Sequence, residues 1–167
     1  MKTLAVTGII ASTVLTSTVL TGISPADAAT GCGSLPGQVQ GSPNVQPGSR
    51  GVAYLWHDAH GWSLRVTHPG TAKAVVTGTI TVTRDISHLQ TVRLERGDAV
   101  AVSRDGHTLS FRMTNVGHLD GVNFTAECSP QMRVNVRVNG AGASTSQVFL
   151  GAHRVHPTSV PFTIERS

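Results

Sequence analysis

From residue 51 onward, apolar and polar residues alternate, and no window shows the three-to-four-residue spacing of a helix. Thr, Val and Arg dominate these stretches, a composition that suits half-buried strands. The clearest run is 131–138, where Met132, Val134, Val136 and Val138 alternate with Arg133, Asn135 and Arg137. In 73–83, Val76, Ile80 and Val82 are expected inward, and Thr77, Thr79, Thr81 and Thr83 outward. Strands are also expected over 51–57, 62–68, 89–95, 121–128, 147–151 and 160–165. Within them Val92 and Leu94, and then Val122, Phe124, Ala126 and Cys128, form inward rows.

Two hairpins stand out. Asp105-Gly106 favours a two-residue type I′ turn, in which both residues need positive φ. Pairing outward sets Val102 opposite Leu109 and Val100 opposite Phe111, with Ser103–Thr108 and Ala101–Ser110 on the other face. The second hairpin joins 51–57 to 62–68. Its apolar residues predict that Val52, Tyr54 and Trp56 face Trp62, Leu64 and Val66. About ten short strands punctuated by turns predict an all-β fold, an antiparallel β-sandwich or open barrel. No internal repeat of fixed period is visible.

Residues 1–28 are set apart from this fold. Met1-Lys2 precedes an uncharged apolar run, and Ala26-Asp27-Ala28 fits the small-x-small site before a signal peptidase cut. A secretory signal peptide over 1–28 is expected, in preference to a membrane anchor. Residues 29–50 are rich in Gly, Pro and Ser and lack apolar periodicity, so they read as a flexible N-terminal arm. The β-sandwich domain is then 51–167.

Cysteine use agrees with export. Cys32 and Cys128 are the only two, and in an exported chain an even count reads as one disulfide. The competing expectation is a lipoprotein acylated on Cys32 after Gly31. Secretion to the extracellular space is the primary reading, and lipid anchoring through Cys32 the alternative.

The formal net charge is +4, and it survives cleavage because Lys2 and Asp27 leave together. Lys73 is then the only lysine against eleven arginines, an imbalance that points to a high-GC genome. The exported, Arg-rich, Thr/Val-stranded layout resembles the small secreted β-proteins of actinobacteria in general character, without a motif that names a family.

Histidine is the unusual residue, with eight in the chain. Two groups are close in sequence, His57-Asp58-Ala59-His60 and His153-Arg154-Val155-His156. If every connection reverses direction, the loops 58–61, 84–88, 105–106, 129–130 and 152–159 share one end. His57, Asp58, His60, His153 and His156 then form a candidate site for a divalent transition metal, Zn or Cu. The competing readings are plain solvent-exposed loop residues and a pH switch. Arg65, Arg112, Arg133 and Arg137 occupy outward strand positions and form a candidate basic face for an anionic cell-wall polymer. Tyr54, Trp56 and Trp62 are expected on one face, as core in preference to a sugar platform.

Catalytic templates are missing: there is no GxSxG, P-loop or HExxH. No catalytic residue is assigned, and a secreted hydrolase is the third reading. Nucleic acid is disfavoured, since no groove-reading helix and no exposed aromatic row is predicted. The chain is thus expected to be a small secreted monomeric binding protein. Its alternative is a structural or interaction protein of the cell envelope that uses the arginine face.

Overall fold

The computed structural model describes residues 32–46, 49, 52–67, 74–115, 119–140, 148–155 and 161–167. The predicted signal peptide, His68, His118 and His156 lie outside them. Among the described residues eleven strands form two sheets. They are β1 Ala53–Asp58, β2 Gly61–Thr67, β3 Ala74–Val82, β4 Ser87–Val92, β5 Ala99–Val102 and β6 Thr108–Asn115. They continue as β7 Leu119–Thr125, β8 Gln131–Gly140, β9 Val148–Leu150, β10 His153–Arg154 and β11 Phe162–Glu165. The six-stranded sheet runs β10-β9-β1-β2-β7-β4, and the five-stranded sheet β11-β8-β3-β6-β5. The all-β sandwich of short strands expected from the alternation is therefore present. No helix among the described residues is long and apolar enough to cross a membrane.

One core lies between the sheets. Val76, Ile80 and Val82 of β3, Met132, Val134 and Val136 of β8, and Leu109, Phe111 and Met113 of β6 are all buried. They meet Leu55, Leu64, Val66, Val122 and Phe124 of the other sheet. Gly78 interrupts the β3 row for a packing reason. It pairs with Phe111, whose ζ-carbon sits 2.5 Å from where a Cβ would stand, and the Asn135 carbonyl is closer still. Gly78→Ala is expected to destabilise by roughly 1–3 kcal/mol through overpacking. A thermal melt of the variant checks this, with a lower midpoint as the expected result.

The Asp105-Gly106 hairpin keeps the expected register, with Val102↔Leu109, Val100↔Phe111 and Ala101↔Ser110. Its turn is different. Only Gly106 of the pair has positive φ, at +77°. The Gly106 N–H donates to the Ser103 carbonyl at 2.9 Å, and the Ser103 N–H closes the loop on the Thr108 carbonyl at 2.8 Å. Asp105 braces this wider loop, accepting from the Ser103 hydroxyl and from the His107 N–H. The Ser103 hydroxyl bond, then the His107 N–H bond, hold its carboxyl below the usual carboxylate range.

The first hairpin corrects the expected pairing. Leu55 faces Leu64 and Ala53 faces Val66, while Tyr54 faces Arg65 and Trp56 faces Ser63. Ala59-His60 is a two-residue connection closed by Asp58↔Gly61, and this fixes a register one residue away from the apolar-to-apolar match. Tyr54 and Trp56 therefore do not share a face with Trp62. Trp62 joins the central core, and its pairing partner His57 meets the ring edge-on at 5.1 Å between centroids. Tyr54 and Trp56 lie on the outer face of the sheet with Val45, and Leu119 and Phe149 pack against them.

Val45 belongs to the segment expected to be a flexible arm. Residues 32–46 instead contribute to the packing: Leu35, Val39 and Val45 are buried, Val39 completely. A single 3-10 turn over Gly37–Val39 lets Val39 dip into the core. The arm is fixed at both ends. Ser34 and Ser167 exchange backbone hydrogen bonds at 2.9 and 3.0 Å, and Gln40 bridges His57 in parallel. Cys32 is bonded to Cys128 across 96 residues, with the Cα atoms 4.8 Å apart. The sulfur that acylation of Cys32 would need is therefore in the disulfide.

Candidate functional site

Strand directions decide which loops meet. β1 ends where β2 begins, and the start of β2 pairs with the end of β7, Trp62 with Phe124. Ser87 opens β4 opposite Thr125, and Val82 closes β3 opposite Met132. The 58–61, 83–87, 103–108 and 126–130 connections thus stand at one end, as alternating reversal implies. Of the expected loop 152–159, residues 156–159 lie outside the described residues. The chain turns at 151–152 and enters β10, pairing His153 with Leu150.

Of the candidate metal ligands, His57, Asp58, His60 and His153 are among the described residues. Asp58 is committed locally: one carboxylate oxygen accepts from the Trp56 indole N–H at 2.9 Å, the other from the His60 backbone N–H at 2.8 Å. His57 is half-buried against Trp62, and His60 is exposed on the turn. His153 is exposed on the far side of β9 from β1. The arm fills the place beside His57, where the Gly41 N–H donates to the His57 carbonyl at 2.9 Å. Among the described residues, no group of three or more His, Cys, Asp or Glu is arranged to hold a metal ion. His156 lies outside the described residues. His107 has a different partner, Asp85, at 3.1 Å from its Nε2.

A cavity of about 210 Å³ does open at this end. His57, Asp58 and His60 line one side, and Glu127, the disulfide and Arg166 the other. Nothing in the sequence around Glu127 or Arg166 marks them as neighbours of the histidines. They arrive there through the disulfide and the last strand.

The arginines divide between the sheets. Arg65 lies on the outer face of the six-stranded sheet. It is half-buried, with its guanidinium carbon 5.3 Å from the centre of the Trp56 ring. Burial lowers its pKa, and Asp58 opposes that shift.

Arg112, Arg133 and Arg137 are exposed together on the outer face of the five-stranded sheet. Thr77 pairs with Arg112 on one side and Arg137 on the other, so these two stand two strand spacings apart, ~10 Å between Cα atoms. Arg133 is four residues from Arg137 on the same strand, ~13 Å away. Between them the outward row is neutral and polar: Thr79, Thr81, Thr108, Ser110 and Asn135. No carboxylate occupies an outward position of β3, β6 or β8. Glu165 on the edge strand β11 and Asp98 just before β5 stand at the margins.

Arg112 is held in place, its Nη1 donating to the Gly97 carbonyl at 2.5 Å and to the Thr114 hydroxyl at 3.2 Å. Mutual repulsion between charges ~10 Å apart in water is only about 0.4 kcal/mol. At that cost the sheet tolerates the cluster.

In comparisons with known proteins, no family model matches the chain, no curated protein matches it, and no solved structure matches its fold.

Proposed function

We propose that the chain is an exported, non-catalytic binding domain that holds an anionic polymer of the cell envelope on the outer face of its five-stranded sheet. The observation that carries this reading is the arginine triad. Arg112, Arg133 and Arg137 are exposed on one face among threonine and asparagine, without an outward carboxylate on the three strands beneath them. Such a face offers repeated cationic contacts with hydroxyl and amide groups between them, which matches a chain bearing regularly spaced anions. Export is supported by the expected signal peptide and is compatible with the disulfide.

Co-sedimentation with purified cell walls tests it. The protein is expected to bind at low ionic strength and to be released as salt rises, because exposed charges are screened within about 10 Å at 0.1 M. Replacing all three arginines by glutamine is expected to weaken binding roughly tenfold, the equivalent of several exposed ion pairs. Equal binding by the triple variant would overturn the reading.

A further inference from the structure

Arg65, separated from the other arginines by the fold, sits in a site of its own. It pairs with Gly121, and a Cβ at that position would stand 2.7 Å from the Arg65 Cδ and 3.1 Å from its Nη1. Glycine is what lets the side chain lie flat on the sheet. Nη1 then donates to the Leu64 carbonyl at 2.9 Å and to the Val122 carbonyl at 3.4 Å. The Trp56 ring lies against the guanidinium, and that ring is anchored through its N–H to Asp58. The fork is thus oriented by backbone, ring and glycine before any ligand arrives.

It borders an open groove of about 470 Å³ between the sheet and the arm. Ser42, Pro43, Asn44 and Val45 form the arm side, and Trp56, Arg65 and Leu119 the sheet side. Its walls combine one fixed cation with hydroxyl, amide and apolar groups.

We infer that this groove binds a hydroxylated ligand carrying one anionic group, a sugar acid or a sugar phosphate. A guanidinium matches carboxylate and phosphate oxygens in its own plane, and a held one loses less freedom on binding than a free surface arginine. Ser42 and Asn44 line the groove and bring a hydroxyl and an amide to it, the Asn44 Oδ1 already accepting from the Gln46 side chain at 2.8 Å, and the apolar walls suit the C–H faces of a ring. This site stands apart from the arginine triad and does not depend on it.

Trp56 reports on the groove through its indole N–H resonance. The full domain is titrated with glucuronate, glucose 6-phosphate, glucose and inorganic phosphate. Glucuronate or glucose 6-phosphate is expected to shift the Trp56 indole and the Asn44 amide saturably, with Kd in roughly the millimolar range. Glucose is expected to leave both in place. Arg65→Lys keeps the charge but not the fork, and is expected to weaken binding roughly tenfold. If that variant fails to fold, Asn44→Ala on the exposed arm serves instead, with an expected loss of about threefold or more, less than one neutral hydrogen bond's upper range. No shift with either anionic sugar overturns the inference. So does binding of inorganic phosphate as tightly as the sugar phosphate, or equal affinity in the folded Arg65→Lys or Asn44→Ala variant.

Discussion

Replacing both Cys32 and Cys128 by serine is expected to remove about 4–5 kcal/mol of stability. The bridge spans 96 residues of sequence, and the chain-entropy model assigns a closed loop of that size a cost of this order to the unfolded state. For a domain of this size the thermal midpoint should fall by roughly 10–20 °C. The native sheets do not need the bridge for their hydrogen bonding, so the variant should still fold, with the same far-UV dichroism at low temperature. Ser34 and Ser167 still pair beside the lost bridge, so the arm should stay in place in the cold. A midpoint within a few degrees of the parent would show that the covalent link contributes little.

Val39→Asp is expected to have an effect of similar size by another route. Val39 is completely buried, with no exposed surface, in the core that both sheets share. An ionised carboxylate without a partner in such a place costs several kcal/mol. Protonating the carboxyl still leaves a buried polar group without a partner, so the cost favours undocking the arm, which exposes Leu35 and Val39 and uncouples Gln40 from His57. Limited proteolysis distinguishes the outcomes. Cleavage between residues 35 and 46 should become fast in the variant while the strands from β1 onward stay intact. A variant as resistant as the parent would contradict the packing described for the arm.

The sequence was most legible where one face of a strand meets the core and the other meets water. In β8 and β3 the alternation is clean, and Met132, Val134, Val136, Val76, Ile80 and Val82 are all inward as expected. The Asp105-Gly106 hairpin was legible in register but not in turn type. Asp105 uses its carboxylate to brace a wider loop, and Gly106 alone supplies the left-handed residue.

The first hairpin departs from its alternation for a physical reason. Residues Ala53 through Trp56 are buried on both faces, so alternation carries no information about which face is inward. The short Ala59-His60 turn then decides the register, and a one-residue slip moves every side chain to the opposite face. That slip is what places Tyr54 and Trp56 with Arg65 rather than with Trp62.

Leu35, Val39 and Val45 follow no period, so the alternation does not mark them as buried. They are buried one at a time by a segment that has almost no regular structure of its own. The candidate sites depend on the same long-range packing. Reading outward positions strand by strand finds four arginines but cannot tell which sheet each belongs to. Arg112, Arg133 and Arg137 share a face because β3 pairs with both β6 and β8, a long-range fact that no local pattern encodes. The histidines of each group are near in sequence, and His57 and His60 stand at one end of the sandwich. Among the described residues no three of His, Cys, Asp or Glu form a ligand set, and Asp58 is bonded to the Trp56 indole and the His60 backbone.

We propose above that the five-stranded sheet presents the polymer-binding face. Residue-resolved amide shift mapping tests it most directly, with the isotopically labelled protein titrated at low salt with a soluble anionic wall polymer. Perturbations are expected to concentrate on Thr77, Thr79, Arg112, Arg133, Asn135 and Arg137 and to fade as salt is added. Perturbations confined to the loop end around His57 and His60, or none at low salt, would contradict it.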